Sequence, residues 1–150
     1  MRIISLLIIV GLAACAPQME PTPGPPAPRS DILEAPTPDD VAMRIGRANA
    51  GATVEVAVGQ RFAIELVGVP TAGYRWEVAA RPDFIAVRGE VGGPTIAAQR
   101  EPGHAGGNHW EVTVFEATGP GSGDILMVQR RPWETDVAPV ASFTVTIVAH

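Results

Sequence analysis

The chain has 150 residues, 18% charged and 46% hydrophobic, enough for one domain with a core of its own and too few for two comfortable ones. Its formal net charge is -5, and its eleven Lys and Arg are scattered without a run, so no basic surface is expected to neutralise phosphates and nucleic acid is excluded as an expected partner. The only cysteine is Cys15, which rules out an internal disulfide and leaves packing to carry the stability.

The first residues have the form of an export signal. Arg2 supplies the positive start, and Ile3 to Val10 is apolar apart from Ser5. The apolar stretch through Leu12 is shorter than the roughly 20 residues a helix needs to cross a bilayer core, so removal is expected rather than retention. It runs into Leu12-Ala13-Ala14-Cys15, which resembles the bacterial lipoprotein cleavage site; ordinary secretory cleavage beside an incidental Cys15 is the alternative. The resemblance implies a signal peptide over residues 1–14, lipids on Cys15, and attachment to a membrane of the cell envelope. Ala16 is no acidic inner-membrane retention signal, which favours the outer membrane, on its periplasmic or surface side.

Residues 15–40 form the next segment, with Pro17, Pro21, Pro23, Pro25, Pro26, Pro28, Pro36 and Pro38 and few apolar side chains besides Ile32 and Leu33. Such a composition favours extended polyproline-like conformations and is expected to act as a tether outside any core.

The domain is expected over residues 41–150, where the apolar pattern switches to a period of two. Val41, Met43 and Ile45 alternate with polar or small neighbours, as do Val54, Val56 and Val58. Gly59-Gln60 then reads as a two-residue loop closing a hairpin onto a return strand with Phe62, Ile64 and Leu66. Tyr74, Trp76 and Val78 carry another strand, with Trp76 suited to a core position. Trp110, Val112 and Val114 carry the next, then either Leu126 and Val128 or Ile125 and Met127, and last Phe143, Val145 and Ile147. About seven to eight short strands with Gly/Pro-rich connections predict an all-β sandwich.

No catalytic constellation stands out. Ser30, Ser122 and Ser142 lie in no nucleophile-elbow context; Asp39-Asp40 lie at the tether end, and Glu111, Glu116 and Glu134 are expected on different elements. His104 and His109 are read as exposed loop histidines, because no cysteine or well-placed carboxylate accompanies them as a metal set would require. Neither a cofactor nor a metal is expected.

Three loops carry the signal instead. In Val69-Pro70-Thr71-Ala72-Gly73, Pro70 fixes φ and Gly73 permits φ > 0, which predicts a short, stiff, projecting turn with Thr71 and Ala72 at its tip. In Gly103-His104-Ala105-Gly106 the glycines let a partner approach the backbone closely. In Arg131-Pro132-Trp133 a rigid Pro sits between the two residue types most enriched at binding hot spots, although Trp133 alone would also suit a core.

Together, in this order along a sandwich, the three loops resemble the motifs of the chagasin family of cysteine peptidase inhibitors: Asn-Pro-Thr-Thr-Gly, Gly-x-x-Gly and Arg-Pro-Trp/Phe. The resemblance runs from about Gly51 to Val148. It implies an immunoglobulin-like β-sandwich, a monomer, and reversible, tight binding to papain-like cysteine proteases. Pro70, Thr71 and Gly73 would then occupy the active-site cleft, Gly103 and Gly106 one wall, and Arg131, Pro132 and Trp133 the other. The chain departs from the first motif at Val69 and Ala72. Those departures favour a second reading, a non-inhibitory immunoglobulin-like envelope module that binds another protein, which the intact Arg131-Pro132-Trp133 opposes.

Overall fold

Alternating apolar residues fold into eight strands in the computed structural model, which describes residues 32–150. The export signal, Cys15 and the tether up to residue 31 lie outside the described residues. The strands are β1 (Met43–Gly46), β2 (Thr53–Val56), β3 (Arg61–Gly68), β4 (Arg75–Ala80), β5 (Ile85–Pro94), β6 (His109–Ala117), β7 (Gly121–Arg130) and β8 (Ala141–Ala149). They form two four-stranded sheets, ordered β1-β3-β6-β5 and β2-β8-β7-β4. The first strand of each sheet pairs in parallel, β1 with β3 and β2 with β8, and the other pairings are antiparallel.

The period of two explains the core. In the first sheet Ile45, Phe62, Ile64, Leu66 and Phe115 face inward; in the second, Val56, Trp76, Ile125, Met127, Phe143, Val145 and Ile147 do. Phe62 and Phe115, partners across β3 and β6, stack with ring centroids 5.5 Å apart. Trp76 is only 6% exposed, and its indole N–H donates to the Val67 carbonyl at 3.0 Å, satisfying the one polar atom such a ring brings into a core. Of the two registers open for β7, the structure takes the one with Ile125 and Met127 inward.

Two expectations are corrected. Gly59-Gln60 does not close a hairpin: β2 pairs with β8 and β3 with β6, so the turn carries the chain from one sheet to the other. Gly59, at φ 85°, supplies the left-handed residue a tight turn needs, and that requirement is the same for a crossover as for a hairpin. Val56 and Phe62 therefore meet across the core rather than side by side. The second correction concerns the tether, because its last part, Ile32–Asp40, packs on the sandwich.

This strap covers the outer face of the β1-β3-β6-β5 sheet. Ala35 is buried against Ala63, Val112 and Val114, with Val41, Val91 and Trp110 around them. Thr37, also buried, donates its hydroxyl to Glu65, and Arg61 pairs with Asp40 at the strap's lower end. The strap explains why β6 is apolar on both faces: Phe115 looks into the core while Val112 and Val114 look out, under the strap.

β5 was not among the sequence-predicted strands. It is an edge strand, mostly exposed, interrupted by Gly89, Gly92 and Gly93 and carrying a register shift between Val87 and Gly89, all of which erase the alternation.

Candidate functional site

Strand register places all three loops at one end of the sandwich. Gly68 at the end of β3 and Pro94 at the end of β5 both pair with His109 at the start of β6. Arg130 at the end of β7 pairs with Arg75 at the start of β4, and Gln129 pairs with Ala141 at the start of β8. The β3–β4 loop joins the same end of both sheets, so the β3–β4, β5–β6 and β7–β8 connections share one rim.

The first loop is a single 3₁₀ turn, Pro70–Ala72, closed by Gly73 at φ 83°. The Val69 carbonyl accepts from Ala72 N–H at 3.0 Å and from Tyr74 N–H at 3.2 Å, and Val69 N–H donates to the Tyr74 carbonyl at 3.2 Å. Gly73 N–H donates to the Pro70 carbonyl at 2.9 Å. Backbone bonds within the loop thus close the turn around Val69. Thr71 and Ala72 stand exposed at the tip.

The third loop is fastened to the first. Arg131 donates from Nε to the Ala72 carbonyl at 3.0 Å and from Nη1 to Glu134 Oε1 at 2.9 Å, and its guanidinium lies 4.5 Å from the Tyr74 ring centroid. Its hydrogen bond to Glu134 pushes the Arg131 pKa further above the ordinary guanidinium value, so the charge is fixed. Trp133 is not a core residue: it is 69% exposed, and its indole lies over Gly73, where a Cβ would come within 2.9 Å of Cζ2. Gly73 therefore serves twice, by its positive φ and by making room for the ring.

Gly103 and Gly106 of the second loop have φ of 86° and 82°, and Gly107 has φ of 99°. Open space surrounds Gly103 and Gly106, so backbone conformation rather than crowding within the chain demands glycine there. His104 and Ala105 are exposed between them. Gln99 braces this loop from its stem. Its Oε1 accepts from the Thr95 and Ile96 amides at 2.7 and 3.2 Å, and its Nε2 donates to the Asn108 carbonyl at 2.7 Å and the Gly106 carbonyl at 3.5 Å.

The structure thus interlocks Val69–Gly73 with Arg131–Trp133 and holds Gly103–Gly106 from its own base. Sequence reasoning missed Gln99, which carries no motif signal, and Glu111. Glu111 sits inward beneath the first loop, beside Leu66, and accepts the Trp76 amide at 2.9 Å with Arg75 at 4.0 Å. Its other oxygen is buried without a partner among the described residues, and burial pushes its pKa above the usual carboxylate value against the pull of the Trp76 amide and Arg75. A Cβ at Gly68 would collide with this carboxylate, with Cδ at 2.8 Å, so glycine there makes its room. His104 and His109 join no metal set: among the described residues no group of three or more His, Cys, Asp or Glu side chains is placed to hold an ion.

Three preset loops on one rim of a β-sandwich, with an exposed Trp among them, define a loop-presenting binding module. Residues 55–147 match the family described as chagasin family peptidase inhibitor I42, and the chain belongs to that family. It is 33% identical to Amoebiasin-1 of Entamoeba histolytica over 92 residues, which is 61% of this chain and 84% of that protein. Its fold is similar to the crystal structure of the cysteine protease inhibitor EhICP2 from Entamoeba histolytica, with a TM-score of 0.61 at 20% identity, covering 73% of this chain and 98% of that one. The solution structure of Amebosin matches with a TM-score of 0.57 at 27% identity, covering 72% of this chain and 97% of that one.

Proposed function

We propose that this protein is a reversible, tight-binding inhibitor of papain-like cysteine proteases that occludes the active-site cleft with Val69–Gly73 and grips its walls with Gly103–Gly106 and Arg131–Trp133. The observation that carries the reading is the lock between the first and third loops: Arg131 bonded to the tip carbonyl of Ala72, with the Trp133 indole over Gly73. A wedge preset in this way loses little conformational freedom on docking, so more of the contact energy appears as affinity. Protease–inhibitor interfaces bury about 1,600 Å² in total, a demand that three loops sharing one rim can meet.

The module blocks a protease without turning over a substrate of its own. Cys15 carries the lipid that ties it to the cell envelope, on the outer membrane, and residues 16–31 space the domain from that surface. Purified protein titrated against papain tests the reading. Stoichiometric loss of protease activity supports it; no inhibition at micromolar concentration, with the sandwich intact by circular dichroism, sinks it in favour of a non-inhibitory envelope module. Metabolic labelling with a fatty acid, lost in Cys15→Ser, tests the anchor separately.

A further inference from the structure

One residue of the strap touches both stems of the second loop. Leu33 N–H donates to the Thr95 carbonyl at 2.8 Å, on the stem leaving β5, and the Leu33 carbonyl accepts from the Trp110 indole N–H at 2.8 Å, on the stem entering β6. Next to it Ile32 bridges to Ile96, and Pro36 lies against Gly93, its Cγ 3.0 Å from where a Cβ would stand. Thr95 in turn ties the two stems directly, its hydroxyl donating to the Asn108 carbonyl at 3.0 Å and its amide to Gln99 at 2.7 Å. The strap therefore reaches the same small network that Gln99 completes beneath Gly103–Gly106.

We propose that Ile32–Asp40 is a positioning element for the second loop, acting through Leu33 on Thr95 and Trp110. The physical need for it comes from topology. The first and third loops hold each other, through Arg131 and Trp133. The second loop hangs from β5, which is an edge strand among the described residues, and spans residues 95–108 before the chain enters β6. Leu33 clips the two stems with a donor and an acceptor of one backbone residue, where separate side chains would each lose rotamer freedom. The strap lies outside the family-matched residues 55–147. That the braced loop contacts a protease rests on the reading above; the bracing itself does not.

The test uses the full chain with Trp110→Phe, which keeps the ring and removes its donor to Leu33, and Leu33→Pro, which removes the donor to Thr95. Amide exchange by NMR reads the loop at Gln99, Glu101 and His104, each bonded within the segment, and reads the first loop at Ala72 and Gly73 as an internal control. Each variant should speed exchange at the three second-loop amides about five- to tenfold, the effect of one lost hydrogen bond, and leave Ala72 and Gly73 unchanged. Unchanged exchange at Gln99, Glu101 and His104, or equal acceleration in both loops, overturns the proposal. Against papain, inhibition should weaken by a similar factor, and that loss should add independently to the loss from Trp133→Ala. A wild-type chain that leaves papain untouched would refute the inhibitory reading while the exchange data still decide the brace.

Discussion

Gly73→Ala should disrupt the wedge, and the structure separates its cost into two parts. The first is backbone: φ of 83° lies in the left-handed region, where a Cβ costs about 1–2 kcal/mol. The second is collision, since the new Cβ would come within 2.9 Å of Trp133 Cζ2 and the indole must lift away. Trp133 is 69% exposed, so the chain itself covers roughly a third of its surface, about 75 Å² of about 250 Å². Losing that cover costs at most about 2 kcal/mol at about 25 cal/mol per Å². The sum is at most about 3–4 kcal/mol. Gly103→Ala is the matched control, because its φ of 86° imposes the same backbone strain while a Cβ there meets nothing within 4 Å, so only about 1–2 kcal/mol is expected. Urea unfolding of the two variants beside the wild type measures the difference without any protease. Equal destabilisation by both substitutions would refute the claim that Trp133 is seated on the first loop.

Trp133→Ala should cost at most about 2 kcal/mol of unfolding stability, the contribution of the ring's covered third, and weaken papain inhibition by about 2 kcal/mol or more, roughly thirtyfold, by inhibition titration. For Arg131, inhibition should fall in the order wild type, Lys, Ala: Lys keeps the charge near Tyr74 and Glu134 but cannot reproduce the Nε donation to Ala72, and a Lys variant equal to wild type would contradict that bond's role. Glu111 has a folded-state pKa raised by burial, so it opposes folding once ionised, and its cost grows as pH rises through the raised value. Glu111→Gln should therefore raise the melting temperature at pH 7 and converge on wild type as pH falls below the ordinary carboxylate range, by thermal melts across that span. Glu116 works in the opposite sense. Its pKa is lowered by the hydrogen bond from Arg88, so its contribution is present above the unfolded value and fades on acidification, and Arg88→Gln should flatten that acid-side loss.

Alternation made most of this fold readable. Phe62, Ile64 and Leu66, or Phe143, Val145 and Ile147, point one way because a strand leaves them no other choice, and Trp76 had the size and position of a core residue. The tip of the first loop was readable for a similar reason, because Pro70 and Gly73 dictate backbone angles locally. What stayed hidden depends on partners distant in sequence. Gly59-Gln60 makes the same local turn whether the next strand stays in the sheet or leaves it, and only the pairing of β2 with β8 decides. The strap looked like spacer because Ala35 and Thr37 are small and nearly neutral in hydropathy; their burial comes from a flat surface of Ala63, Val112 and Val114 that suits small groups. Glu111, between Trp110 and Val112 in sequence, faces inward because Val112 and Val114 have an apolar cover of their own on the other side.

The strap also sets the direction from which the chain arrives. It enters beside Ile96, at the rim that carries the loops, descends past Glu65 to Asp40, and turns back up into β1. A leash fixed at Cys15 would thus pull on the working end of the inhibitor rather than on its far end. From Cys15 to Ile32 the chain can stretch at most about 60 Å, while a protease of about 200 residues is itself about 40 Å across. On the proposed anchoring, a copy tied at Cys15 would hold a bound protease close against the membrane, so its guard would cover a thin layer over the bilayer rather than the space beyond.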